Sequence, residues 1–162
     1  MRPPRWLQLQ PRPATRRYLT ATPGVGVTGI AFDVRLIDGT GPSEGGLYVI
    51  LIGQNGEQRR VVFGPDNTPD GPPGFGVESC PTPRCDRAVD YAADGAMATK
   101  QIYTVTMAAE PDAVVVDVQG MKPPVRIAPM TAIREIRLYA STNVGAAFTV
   151  QIDDVRLLGE VG

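Results

Sequence analysis

The chain has 162 residues, of which 20% are charged and 43% hydrophobic, which is typical of one globular domain built around a single core. No apolar run approaches the roughly 20 residues that a membrane-spanning helix needs, and the N-terminal arginines are not followed by the apolar segment of a secretory signal. The formal net charge of −1 conceals an uneven distribution of charge along the chain.

The first 17 residues differ in composition from the rest. They contain five arginines and no acidic residue, so a basic segment precedes an acidic body. Their four prolines oppose a helix. We expect residues 1–17 to form an extended arm that packs either on its own domain or across a neighbouring subunit. The residues expected to make the subunit contact are Arg2, Arg5, Trp6, Leu9, Arg12, Arg16 and Arg17.

Residues 18–162 are expected to form one domain of short strands without an amphipathic helix. The run at 47–53 is almost continuously apolar and predicts a central strand covered on both faces. Asn55-Gly56 predicts a tight hairpin after it. Alternating or short apolar patterns predict strands at 18–22, 30–37, 47–53, 58–63, 102–108, 114–118, 125–127, 133–139 and 148–158.

The closing strand contains a break in its alternation. Phe148 and Ile152 are even-numbered apolar positions, whereas Val155 and Leu157 are odd-numbered. If all of them face one core, the pair Asp153-Asp154 must absorb one residue. The pattern therefore predicts a β-bulge at this pair.

Motifs in the second half of the chain resemble jelly-roll β-sandwiches of the carbohydrate-binding-module and concanavalin-like lectin type. They are the strands at 103–107 and 133–138, the hairpin at 113–118 and the closing Ile-Asp-Asp-Val-Arg-Leu at 152–157. The resemblance implies an all-β fold of two antiparallel sheets with an extended N-terminal arm. It implies a fold and not an activity.

Residues 64–87 show no strand pattern and contain six prolines and both cysteines. We expect a long loop that is functional, binds a partner or covers one mouth of the sandwich. Cys80 and Cys85 either close a small disulfide loop or remain free thiols. A zinc site is not expected, since the chain has no histidine and two further ligands would be needed.

A catalytic set is not evident. Glycanases with concanavalin-like folds carry a carboxylate pair on one strand, as in Glu-x-Asp-x-x-Glu, and no such string occurs here. Without histidine the common triads and general bases are missing. We therefore expect no enzyme activity, no catalytic residue and no cofactor.

Two ligand hypotheses remain. The resemblance places Asp154, with Asp153 beside it, where several carbohydrate-binding families hold a structural calcium ion. The alternative, which we favour, is that one carboxylate accepts backbone N–H groups of the bulge and the other faces solvent.

Glycan binding in such sandwiches uses exposed aromatic rings. Most aromatic residues fall on predicted core faces, which leaves Phe75 and Tyr91 as candidate glycan contacts.

The leading functional hypothesis is a non-enzymatic structural protein of a larger assembly, such as a capsid-decorating or tail component of a bacteriophage virion. Its partners would be other subunits, most simply further copies of itself, with nucleic acid and membrane not expected. The alternative is a carbohydrate-binding module or lectin, which would be extracellular. A third hypothesis, nucleic-acid packaging by the basic arm, predicts affinity that falls steeply with salt.

Overall fold

The computed structural model describes residues 7–9, 16–24, 26–40, 46–64, 74–82, 90–119, 123–141 and 147–159. In these residues it shows twelve β-strands and no helix, so the described part of the chain has no helix that could cross a membrane. The strands are β1 Leu7–Leu9, β2 Arg16–Ala21, β3 Val27–Thr40, β4 Gly46–Gly53, β5 Gln58–Gly64, β6 Gly74–Cys80, β7 Asp90–Ala96, β8 Ile102–Ala109, β9 Val114–Val118, β10 Val125–Ile127, β11 Ile133–Ser141 and β12 Ala147–Gly159.

The strands form two six-stranded antiparallel sheets that pack face to face. Sheet A has the order β1-β12-β3-β8-β9-β10, and sheet B has the order β2-β11-β4-β5-β6-β7. Successive side chains of a strand point to opposite faces, so each sheet has one inner and one outer row of residues. The predicted all-β, two-sheet sandwich is confirmed.

The core lies between the inner faces of the two sheets. Val34 and Leu36 of β3 and Val49 and Leu51 of β4 are completely buried. Phe32 meets Phe63 edge to face, with ring centroids 6.0 Å apart and an interplanar angle of 89°. Each such side chain contributes about 1.5–3 kcal/mol relative to an exposed one. The alternating apolar residues of the sequence are therefore what joins the sheets.

The bulge in β12 lies where the sequence predicts it. Asp153 pairs with Asp33 and Arg156 with Ala31, so β12 uses one residue more than β3 over this interval. Asp154 has a φ of 49°, a left-handed conformation that aspartate tolerates better than most residues. Beyond the bulge, the prediction that Val155 and Leu157 face the core is wrong. They are 52% and 46% exposed, although Leu157 lies opposite the buried Ile30 of β3.

The central hairpin also matches the prediction. Gly53 and Glu57 close it by a backbone hydrogen bond of 2.9 Å, and Gly56 has a φ of 83°, which glycine adopts without strain. β4 lies between β5 and β11 in sheet B. Ile50 and Ile52, on its outer face, are 4% and 3% exposed. This burial on both faces explains the continuous apolar run.

Two parts of the predicted domain plan need correction. The segment 64–87, expected to be one loop, contains β6, in which Phe75 and Val77 alternate with two glycines. The N-terminal segment is not wholly a separate arm, since β1 pairs with β12 and β2 with β11. The strand predicted at 18–22 is present as β2, which begins within the predicted arm. β1 and β6 were not predicted, because short strands with glycine or polar residues carry a weak alternation signal.

Candidate functional site

The outer face of sheet B carries a cluster of aromatic and charged side chains. Because Val49 and Leu51 of β4 point inward, Tyr48 and its neighbours at even positions point outward. The same alternation puts Tyr139 of β11 and Arg60 of β5 on this outer face. We call the set Tyr48, Arg60, Glu78, Glu135, Arg137 and Tyr139 the tyrosine–arginine face.

Two tyrosines lie at its centre. Tyr48 and Tyr139 are directly opposite each other in the pairing of β4 with β11. Their ring centroids are 5.4 Å apart with an interplanar angle of 42°, within the range of favourable aromatic pairs. Both residues are half-buried. The backbone of Tyr18 in β2 pairs with that of Tyr139 on the other side.

Arg60 links the tyrosines to a carboxylate. Its guanidinium carbon lies 5.3 Å from the centroid of the Tyr48 ring, a cation–π distance. Its Nη2 donates to Oε1 of Glu78 at 2.6 Å. The two side chains are only 17% and 13% exposed. Such shielding from water strengthens the ion pair relative to one on an open surface.

A second arginine flanks the tyrosines on the next strand. Arg137 donates from Nε and Nη2 to Oε1 of Glu135, at 3.0 and 2.8 Å. Arg137 and Arg60 lie on either side of Ile50 in the register of the sheet. Their aliphatic stems are positioned to cover Ile50, as long charged side chains do on apolar surface. The face thus pairs each of these arginines with a glutamate.

The face offers several kinds of contact within a small area. Tyrosine rings present flat apolar surfaces and phenolic hydroxyls, guanidinium groups donate in a fixed fork, and carboxylates accept. The two glutamates lie on different strands. In the register of sheet B their backbones are three strand spacings and two residues apart, about 16 Å, and each carboxylate is ion-paired with its own arginine.

The two predicted glycan contacts differ in their placement. Phe75 lies in β6 rather than in a loop and is 8% exposed. Its ring centroid lies 6.3 Å from that of Phe63 in the core. It therefore does not provide an exposed platform. Tyr91 lies in β7, where its backbone pairs with Glu78 of the tyrosine–arginine face. Glycan contact by Tyr91 stays a prediction.

The Asp153-Asp154 pair shows an ion pair and no assembled metal site. Oδ2 of Asp154 lies 3.3 Å from Nε of Arg156, and both side chains are 56% exposed. Asp153 lies opposite Asp33, whose Oδ1 accepts a hydrogen bond from the Thr104 hydroxyl. Among the described residues, no three Asp, Glu, His or Cys side chains converge as metal ligands. Calcium binding at this pair stays a prediction.

The remaining predicted residues lie partly outside the description. Cys80 is disulfide-bonded and buried. Cys85, the other cysteine of the sequence, lies outside the described residues, as do Arg2, Arg5, Trp6 and Arg12. Leu9, Arg16 and Arg17 pair with Val150, Ser141 and Ala140 of the same chain. Their contact with another subunit stays a prediction.

The sequence reasoning missed the tyrosine–arginine face although one signal for it was present. On β11 the inward Ile136 and Leu138 put Tyr139 on the outer face by parity alone. On β4 the apolar run is continuous, so alternation does not distinguish the inner face from the outer face. Tyr48 is therefore interpreted from the sequence as a core residue. The partner strands then decide which outward residues meet, and strand order cannot be read from the local pattern.

Comparison with known proteins supports the fold and leaves the family open. No family model matches this chain, and no curated protein matches it in sequence. Among solved structures, a β-glucanase of Bacillus licheniformis has a TM-score of 0.63 at 8% identity, covering 96% of this chain and 79% of its own. The Crh5 transglycosylase in complex with NAG has 0.58 at 14%, covering 96% and 72%. Human galectin-16 R55N has 0.55 at 13%, covering 89% and 95%.

These similarities confirm the lectin-like sandwich that the sequence motifs resemble. They also correct one expectation. The chain was expected not to be an enzyme, but its fold is shared with a β-glucanase and a transglycosylase. The fold therefore does not exclude catalysis, and that prediction is wrong as an exclusion. At these identities the similarity concerns the fold alone.

Proposed function

We propose that this protein binds a glycan on the tyrosine–arginine face. The observation that carries the proposal is the pair of rings Tyr48 and Tyr139, 5.4 Å apart on the outer face of sheet B with Arg60 beside them. The similarity in fold to a galectin, a β-glucanase and a transglycosylase supports it. No comparable support exists for the virion hypothesis, so the alternative reading of the sequence is preferred.

The chemistry of the face suits a sugar. A pyranose ring has an apolar C–H surface that packs on an aromatic ring, while its hydroxyl groups both donate and accept hydrogen bonds. The guanidinium groups of Arg60 and Arg137 and the carboxylates of Glu78 and Glu135 supply both partners. Because these groups already hold one another in place, little side-chain freedom is lost on binding, which favours affinity.

A glycan array, followed by titration calorimetry of any ligand found, tests the proposal. Tyr48→Leu and Tyr139→Leu remove the rings but keep an apolar side chain, and each is expected to weaken binding about tenfold or more, or about 1.4 kcal/mol. Arg137→Ala is expected to weaken binding similarly. Circular dichroism checks that each variant is folded.

Arg126→Ala provides the matched control. Arg126 is also ion-paired, with Glu110 and Asp112 at 3.1 Å each, but it lies on β10 of sheet A. Its replacement is expected to leave glycan affinity unchanged. An array without any bound glycan, or binding that all these sheet B variants retain, would contradict the proposal.

A further inference from the structure

A cavity lies at one end of the sandwich, where connections of both sheets meet. It has a volume of about 250 Å³, slightly below the range of about 300–1,000 Å³ for pockets that take drug-sized ligands. Three segments form its wall: the connection from β2 to β3, the tip of the β4–β5 hairpin and the beginning of β11. The cavity therefore has room for a small organic molecule.

Arg134 lies at an irregularity of β11 beside this cavity. Ile133 pairs with Gly53 of β4, and Glu135 pairs with the preceding Ile52, so Arg134 is the extra residue of a bulge. A bulge interrupts the alternation of a strand and redirects a side chain, and bulges are frequent next to active sites. Arg134 is exposed and lines the cavity. The bulge thus places a cationic residue in the cavity wall.

Arg134 lacks a partner within the described residues, where its side chain makes neither a hydrogen bond nor an ion pair. The neighbouring carboxylate is engaged elsewhere, since Oε1 of Glu135 accepts from Nη2 of Arg137 at 2.8 Å. None of the described lining residues is acidic. An anion bound in the cavity would therefore be the first ionic partner of Arg134.

The other lining residues offer apolar surface and neutral hydrogen-bonding groups. Ile133 is 7% exposed and belongs to the core, and Val27 is partly buried against the same core. The hydroxyl of Thr22 and the side-chain amide of Gln54 both donate and accept. One cation beside apolar surface suits an organic monoanion, because its carboxylate pairs with the guanidinium fork while its body covers the apolar residues. A free phosphate has no apolar body and would leave that surface in water.

Backbone hydrogen bonds hold the wall in place. The N–H of Gln54 donates to the carbonyl of Ala132 at 3.0 Å, which joins the hairpin tip to the segment before β11. The N–H of Val27 donates to the carbonyl of Gly24 at 3.4 Å, which closes the β2–β3 turn. A site whose wall is already ordered loses little conformational freedom on binding. Gly24 also leaves space, since a Cβ added there would meet no heavy atom within 4 Å.

We propose that this cavity is a binding site for a small organic carboxylate, with Arg134 as its ion-pair partner. The apolar body of the ligand packs on Ile133 and Val27, and Thr22 and Gln54 bind its polar groups. The site lies at the end of the sandwich and not on the tyrosine–arginine face. The inference is therefore independent of glycan binding on sheet B.

An NMR titration with cyclohexanecarboxylate tests the proposal, with the neutral cyclohexylmethanol as a control of similar shape. We expect saturable shifts of the backbone amides of Thr22, Gly24, Gln54 and Arg134 with the carboxylate. The alcohol is expected to bind about tenfold or more weakly, because it cannot form the charge-assisted pair. Equal affinity for the two, or no saturable shift with the carboxylate, would overturn the proposal. Tighter binding of inorganic phosphate than of cyclohexanecarboxylate would also overturn it.

Three variants locate the binding. Arg134→Gln removes the charge but keeps a polar side chain, and we expect it to weaken carboxylate binding about tenfold or more. Gly24→Leu fills the space beside the turn and is expected to abolish binding. Arg126→Gln, which changes another exposed arginine on β10, is expected to bind like the wild type. Circular dichroism checks that each variant is folded. Wild-type affinity in folded Arg134→Gln or Gly24→Leu would overturn the proposal.

Discussion

The side chains of Glu57 and Arg59, at the start of β5, form hydrogen bonds with the loop between β10 and β11. Oε1 of Glu57 accepts hydrogen bonds from the backbone N–H and the hydroxyl of Thr131. Arg59 donates from Nε to the carbonyl of Ala128 at 2.7 Å. Burial alone would raise the pKa of Glu57, but the bonds from Thr131 and the charge of Arg59 outweigh it, so the pKa lies below its usual 4.5.

A depressed pKa in the folded state makes the contribution of Glu57 to stability depend on pH. The contribution is complete above the pKa of the unfolded chain and is lost as the pH falls through the lower folded value. We expect Glu57→Gln to lower the free energy of unfolding by about 1.5–3 kcal/mol at pH 7. The difference from the wild type should shrink below pH 4.5. Urea denaturation across pH 2 to 7 checks this, and a constant difference would contradict it.

Asp154 is constrained by its backbone. At a φ of 49°, a branched side chain clashes with the following carbonyl, at a cost of about 1–2 kcal/mol, whereas glycine has no such penalty. We expect Asp154→Val to reduce the free energy of unfolding by that amount and Asp154→Gly to change it little. Chemical denaturation of both variants tests the bulge. Equal loss in both would point to a role of the carboxylate itself.

At the level of elements, the inward-facing residues of β12 before the bulge are part of the core between the two sheets. Ile152 is 1% exposed, whereas Ile102 at the start of β8 is 49% exposed. Ile152→Ala is expected to cost about 2–5 kcal/mol, and the matched Ile102→Ala less than about 0.5 kcal/mol. Thermal or urea unfolding of the two variants measures this. Similar losses would show that the core is not where the burial indicates.

The elements that the sequence predicts are those with a strong alternation or a strong turn. β3, β8, β9 and β11 have most of their buried apolar residues on one face, and the Asn55-Gly56 hairpin has a conformation that few residues adopt. β6 and β7 were not predicted, because glycine, alanine and acidic residues interrupt their apolar positions. Their strand conformation follows from pairing with neighbours and not from local preference.

At the level of the whole molecule, the sandwich follows from the sequence but its candidate site does not. The bulge and the two-sheet core are consequences of periodicity, which is local. The tyrosine–arginine face combines residues of β4, β5, β6 and β11, up to 91 positions apart. Their proximity depends on strand order and register, which many sequences of the same pattern could satisfy differently.

Chemical-shift mapping by NMR is the most direct test of glycan binding on sheet B. The isotope-labelled protein would be titrated with an oligosaccharide selected on the array. We expect the backbone amides of Tyr48, Arg60, Glu78, Arg137 and Tyr139 to shift in a saturable manner, and those of β9 and β10 to remain unchanged. Shifts centred on the outer face of sheet A, with sheet B unaffected, would contradict the account.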